Sequence, residues 1–186
     1  VYAAGFTTQE IERFLIGLAK SKVFGHSRSD GPSLLGLQGF AHHLSDFLGG
    51  RTFNDLKIPF ACVAVDIKSH QEIIIKEGRL IDGIMATIAV PGIFPPQYFG
   101  SAVLVDGGVY DPVPVALARW LAPTLPVLAV CLSPAPEDFS RLPELHLPTE
   151  TPIPIPILNQ LIKLPLGQAL KLFLESMEAT SCMLAE

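Results

Sequence analysis

Apolar and polar positions follow two periods along the first two thirds of the chain, and each period predicts its own kind of element. Thr7-Thr8-Gln9-Glu10 has capping-box spacing, in which Thr7 and Glu10 satisfy each other's backbone N–H groups at a helix start. Ile11, Phe14, Leu15 and Leu18 then recur at i, i+3, i+4 and i+7, one stripe of a helix. Residues 21–36 are rich in Gly, Ser and charge and read as a loop. A second helix is expected over residues 37–48, with Phe40, Leu44, Phe47 and Leu48 on its apolar side and Gly49-Gly50 as its stop.

The pattern then changes. Residues 58–66 (IPFACVAVD) form a short apolar run ending in an acid, as in a strand covered on both faces, which favours a parallel sheet. Residues 72–76 predict a second, β-branched strand after the short link Ser69-His70-Gln71. Residues 80–89 read as a helix ended by Pro91-Gly92. Residues 102–105 predict a third strand running into Asp106-Gly107-Gly108, and residues 114–121 a helix with proline in its first turn. Residues 126–132 predict a fourth strand. Strands alternating with helices give an α/β fold with its sheet covered on both faces. The expected sheet is mostly parallel, with strands near 58–66, 102–106 and 126–132 as neighbours and Asp66 and Asp106 at the same edge.

Eight prolines between Pro134 and Pro165 make that stretch extended or irregular. Residues 167–183 return to helical composition. Residues 153–174 are apolar on nearly every face. They are expected to pack on their own domain or on a second subunit, with a lipid-facing element as the alternative.

Composition narrows the function classes. The 186 residues favour one domain with a sizeable core, and 49% of them are hydrophobic. The mean hydropathy is high, +0.42, yet no window holds the roughly 18 apolar residues of a bilayer span. A net charge of −5 without a Lys/Arg cluster argues against a nucleic-acid partner. Val1-Tyr2-Ala3-Ala4-Gly5 has no signal-peptide pattern and reads as a cut edge. Cys62, Cys131 and Cys182 are far apart and form no C-x-x-C, so reduced thiols and an intracellular location are expected, with Cys62 and Cys131 buried in their apolar runs.

The sharpest chemical signal is Leu104-Val105-Asp106-Gly107-Gly108, an acid delivered by an apolar strand into two glycines. In open α/β sheets ligands bind beyond the carboxyl ends of the strands, where Asp106 would lie. The alternative is a turn aspartate, because Asp-Gly is a common turn dipeptide. Residues 85–96 read as a helix running into a stiff proline loop, with Ile93 and Phe94 filling the core. His26, His42, His43, His70 and His146 fall into no metal-binding pattern, and no Walker or dinucleotide loop occurs. Ser27, in Gly25-His26-Ser27-Arg28-Ser29, is the nearest approach to a nucleophile elbow, but Ser29 stands where glycine is needed and no buried strand precedes it. Ser27 therefore reads as a loop serine. Asp82 and Asp111 read as solvated.

Residues 51–66 (RTFNDLKIPFACVAVD), 86–96 (ATIAVPGIFPP) and 104–115 (LVDGGVYDPVPV) together resemble the patatin-like phospholipase family, in its bacterial single-domain branch. Tyr2-Ala3-Ala4-Gly5 and the helix behind it resemble the segment just after that family's nucleophile elbow. The resemblance covers residues 1 to about 133. It implies a three-layer α/β/α patatin-like sheet fold truncated at the N-terminus. Residues 1–133 would be the C-terminal part of the domain. Residues 134–186 would be a proline-rich connection and apolar helices packing on the same domain.

The resemblance implies lipid acyl-ester hydrolysis by a Ser–Asp dyad without histidine. The family's D-G-[GA] motif maps onto Asp106, Gly107 and Gly108, while its G-x-S-x-G elbow and glycine-rich oxyanion loop have no counterpart here. Thr87 stands where many relatives carry serine; Asp66 takes a structural or cleft-lining role. A serine hydroxyl needs a base, and partial burial raises an aspartate's pKa from about 3.9 toward a useful range. Oxyanion donors in such a site contribute about 3–4 kcal/mol each. The chain alone is thus expected to be inert and a longer parent active, with no metal or organic cofactor. The implied partner is a lipid or acyl-ester substrate. Peripheral membrane contact and a homo-oligomer stay open, and a cytoplasmic location is expected. The rival reading is a non-catalytic relative that keeps the fold as a lipid-binding or interaction module; an upstream G-x-S-x-G would discriminate the two.

Overall fold

A computed structural model describes residues 1–21, 23–25 and 33–130. Ser27, His26, His146, Cys131, Cys182 and the segments expected over 134–165, 153–174 and 167–183 lie outside the described residues. In chain order the elements are α1 (Thr8–Lys20), α2 (Gln38–Leu48), β1 (Cys62–Asp66), β2 (Gln71–Ile75), α3 (Leu80–Thr87), β3 (Gln97–Phe99), β4 (Ala102–Asp106) and α4 (Val115–Leu121). The chain divides into two units, Val1–Tyr110 with Pro114–Val127, and Asp111–Val113 with Leu128–Glu186; the first holds every one of these elements.

The helices start and stop where local chemistry directs. At α1 the Thr7 hydroxyl accepts from the Glu10 N–H at 3.3 Å and the Glu10 carboxylate accepts from the Thr7 N–H at 2.7 Å, the expected capping box. The α1 stripe touches the rest of the fold through Phe14, which stacks on Phe47 of α2 at 4.3 Å; Phe6 stacks on the same ring. α2 ends at Gly49 in the left-handed region, φ 62°, as a glycine stop should. Leu44 and Leu48 of α2 join Phe53, Cys62, Leu80, Ile81 and Met85 in the main core. Cys62 is the buried thiol its sequence context predicts; burial pushes it up to about 12, so it behaves as a small hydrophobe. α3 spans Leu80–Thr87, shorter than the 80–89 expected, and Pro114 caps α4 rather than entering its first turn.

The sheet is α/β in setting but antiparallel in direction, which overturns the parallel expectation. Its order is β2-β1-β4-β3, with every pair antiparallel. Of the apolar run at 58–66 residues 62–66 form the strand, covered on both faces at Cys62, Val63 and Ala64, while Ile58 and Phe60 are exposed. Double coverage does not set direction. The connections do: β1 and β2 are joined by residues 67–70 alone, which can close only a hairpin. β3 and β4 are joined by Gly100-Ser101, with Gly100 at φ 57°. β1 and β4 are neighbours, as expected. No strand forms over residues 126–130, because apolar composition without a partner edge does not make one. β3, only three residues long, was too short to show a period.

α3 lies against the face of the sheet that carries Ala64 and Leu104, packing Ala86 onto them. Gly83 permits that approach on the helix side: a Cβ there would stand 2.6 Å from the Phe53 ring. Antiparallel pairing puts Ala64 opposite Asp106 and Asp66 opposite Leu104, so the two acids sit toward opposite ends of the β1–β4 pair. The expectation of a shared edge is therefore corrected.

Asp66, 7% exposed, is a structural hub. Its carboxylate accepts from the N–H of Val103 across the sheet at 3.0 Å, from the Ser69 hydroxyl at 2.7 Å and from the Lys68 and Ser69 amides. These donors, the Val103 amide first, lower its pKa to about 2. A carboxyl whose folded pKa is depressed contributes stability that is full above its unfolded pKa and is lost as pH falls through the folded value. Asp66→Asn should therefore lower the melting temperature at pH 7 by several degrees, and that gap should close between about pH 4 and pH 2. A thermal melt series across that range checks it. At the other end of the pair, a Cβ on Gly107 would overlap the Val63 carbonyl. Gly107→Ala should cost about 1–3 kcal/mol in denaturant unfolding, the usual cost of overpacking.

Candidate functional site

Asp106 is where β4 leaves the sheet. Val103, Leu104 and Val105 before it are buried, so the strand carries the acid out of an apolar layer into the single 3₁₀ turn Gly107–Val109. Its backbone is held on one side by a group outside the sheet. β3 runs out at Gln97, opposite Leu104, and the Asp106 N–H donates instead to the carbonyl of Ala89 at 3.0 Å. The carboxylate Oδ1 accepts from the Gly108 N–H at 2.7 Å. That bond is the turn-aspartate geometry, so this part of the alternative sequence reading holds. It leaves Oδ2 without a hydrogen bond among the described residues.

Burial pushes the Asp106 carboxyl above the ordinary aspartate value, and the Gly108 amide acts against that shift without cancelling it. Asp66 moves the other way. The contrast separates the two strand-end acids that looked alike in sequence: one is saturated with donors, the other half-buried and half-bonded. Gly107 lets the chain turn hard against β1, and Gly108 supplies the amide. Among the described residues no serine hydroxyl hydrogen-bonds Asp106; Ser69 bonds Asp66 and Ser21 bonds the Gly17 carbonyl.

The remaining candidates are dispersed. His42 pairs with Asp46 at 3.5 Å on the surface, and His43 and His70 are exposed. Asp82, half-buried rather than fully solvated, pairs loosely with the exposed Arg79 at 3.8 Å. These two line a cleft of about 510 Å³ together with Ile81, Met85, Tyr98 and Phe99. That cleft opens at the β3–β4 turn, a strand's length from Asp106, roughly 13 Å at the usual strand rise. It is not built on the acid. No cluster of three metal-ligating side chains and no helix long and apolar enough to cross a membrane occurs among the described residues.

Sequence reading gave no role to the Ala89 carbonyl, which accepts the Asp106 N–H, or to the Thr87 hydroxyl two residues before it. The Thr87 hydroxyl donates to the Val63 carbonyl at 2.7 Å. A hydroxyl in the apolar last turn of α3, just before Ile88 and Ala89, was the available signal.

The described site can be set beside known proteins. The model of a family described as patatin-like phospholipase matches residues 1–119. An uncharacterized NTE family protein of Mycobacterium tuberculosis is 35% identical over 71 residues, covering 38% of this chain and 20% of that protein. A Mycobacterium bovis protein of the same description matches with the same figures. A second NTE family protein of Mycobacterium tuberculosis is 32% identical over 68 residues, covering 37% of this chain and 12% of the relative. The matched stretch thus spans a fifth or less of these relatives' lengths. The family match itself runs through α1, α2, the whole sheet and the Asp-Gly-Gly turn, and by that match the chain belongs to the patatin-like phospholipase family.

Proposed function

We propose that this chain is the acid-bearing part of a lipid acyl hydrolase, in which Asp106 is the general base for a serine nucleophile supplied by sequence preceding Val1. The observation that carries the reading is the state of the Asp106 carboxylate: half-buried, its pKa raised by burial, and, among the described residues, bonded through one oxygen. A base that must take a proton from a serine hydroxyl near neutral pH needs a raised pKa and a free lone pair. Asp106 has both. Family membership supports the same chemistry, since its description is that of a phospholipase.

The steps follow from that geometry. Oδ1 is fixed by Gly108, so Oδ2 is the oxygen that takes the serine proton as Oγ attacks the ester carbonyl. The protonated carboxyl then returns the proton to the leaving alcohol, and an acyl-serine remains. Water attacks that ester with Asp106 again as base, releasing the fatty acid and restoring the serine. The substrate class is a lipid or other acyl ester, met at a membrane surface or in solution, and the reaction is lipid degradation. Asp66, whose lone pairs are directed to the fold, takes no part.

The test uses p-nitrophenyl butyrate with the 186-residue chain, a longer protein restoring the upstream sequence, and its Asp106→Asn variant. The 186-residue chain should be inert and the longer protein active. Asp106→Asn should fold but lose about 10²-fold or more in kcat, the usual share of general-base catalysis. Because the base works deprotonated, kcat/KM should fall on the acid side with an inflection above the ordinary aspartate value of about 3.9. An upstream sequence without G-x-S-x-G, together with lipid binding and no turnover, would favour the non-catalytic module instead.

A further inference from the structure

The end of α3 holds both strands at the place where Asp106 leaves the sheet. Thr87 is the last residue of that helix. A threonine in a helix commonly bonds back to the carbonyl four residues earlier. Thr87 instead reaches across the fold to β1, donating to the Val63 carbonyl at 2.7 Å. Val63 is 6% exposed, and its carbonyl is the surface on which Gly107 rests. Two residues beyond Thr87, the Ala89 carbonyl accepts the Asp106 N–H at 3.0 Å. Ala86 and Ala89 are wholly buried, while Thr87 and Ile88 between them are half-buried. One short stretch, residues 87–89, therefore grips β1 through a side chain and β4 through the backbone of the acid itself.

We infer that Thr87 is a positioning residue: its hydroxyl pins the end of α3 to Val63 and so fixes the Ala89 carbonyl from which Asp106 hangs. The inference rests on the reading of Asp106 as a base. Thr87 stands just before Ile88 and Ala89 and makes no hydrogen bond to the carboxylate, so it acts through geometry. β-branching helps, because Thr has few χ1 choices and its hydroxyl is held in one direction. A base displaced by a fraction of an ångström loses rate without losing substrate affinity.

The test compares Thr87→Val, which keeps the shape and loses the donor, with Thr87→Ser, which keeps the donor, in the longer protein acting on p-nitrophenyl butyrate. Thr87→Val should lower kcat about tenfold with KM within about twofold, and Thr87→Ser should retain most of kcat. In an Asp106→Asn background, adding Thr87→Val should cost nothing further, since the two act as one unit. Amide hydrogen exchange on the 186-residue chain gives a readout without activity: Thr87→Val should speed exchange of the Asp106 N–H, and Thr87→Ser should not. If the valine variant does not fold, Thr87→Ala provides the same comparisons. Unchanged kcat, a serine variant as slow as the valine one, a full additive loss beside Asp106→Asn, or unchanged Asp106 exchange overturns the inference and leaves the base reading standing. Full turnover by Asp106→Asn alone removes the base reading and the inference together.

Discussion

Ala64 of β1 and Ala86 of α3 are both completely buried and packed on one another's elements, and that small-residue contact sets the separation between helix and sheet. A larger side chain at either position would lift α3 away from the β1–β4 pair. At the distance the alanines allow, the end of the helix can reach β1 with a side-chain hydroxyl and β4 with a backbone carbonyl. Gly83 extends the same close fit toward Phe53. Among the described residues the sheet has four short strands, and β3 does not extend far enough to pair with Asp106. The helix end stands in for a longer strand there. Close packing thus becomes hydrogen bonding, and hydrogen bonding orients the acid.

The two strand-end aspartates show how environment separates identical side chains. Asp66 accepts from Val103, Ser69 and Lys68, and each donor favours the charged form. Its negative charge is committed to tying the β1–β2 turn to β4. Among the described residues Asp106 accepts from Gly108 and lies beside buried valines and leucine, so desolvation dominates and the neutral form gains ground. Donors hold one carboxylate in its charged form, and burial moves the other toward its neutral form. The Asp-Gly-Gly turn combines the two demands. Gly108 fixes one oxygen, and Gly107 brings the turn against β1, keeping the acid near the apolar layer.

The large cleft beside Tyr98 and Phe99 lies at the far end of β4. Size alone would have drawn attention there, whereas the electrostatics point to Asp106. The acid's surroundings are incomplete in one chemical respect: among the described residues nothing presents a hydroxyl to Oδ2.

The local elements were legible because their signals are local. A capping box spans four residues, a glycine stop one, and the stripe on α2 repeats within four, so Thr7, Gly49 and Leu44 could be read directly. The apolar run before Asp66 and the Asp-Gly-Gly sequence after β4 were equally plain, and with them the family resemblance. Hydrophobic pattern reports which residues turn inward; it does not report what they meet. The antiparallel direction of β1 and β4, the placing of Asp66 and Asp106 toward opposite ends, and the absence of a strand at 126–130 all depend on which edge finds which partner. Thr87 and Val63 are 24 residues apart, and such a contact leaves no period in the chain. Sequence by itself determined the helices, the buried runs and the acid with its two glycines. Only the tertiary structure decided the acid's surroundings, because hydrogen-bond partners and desolvation belong to groups brought together by packing.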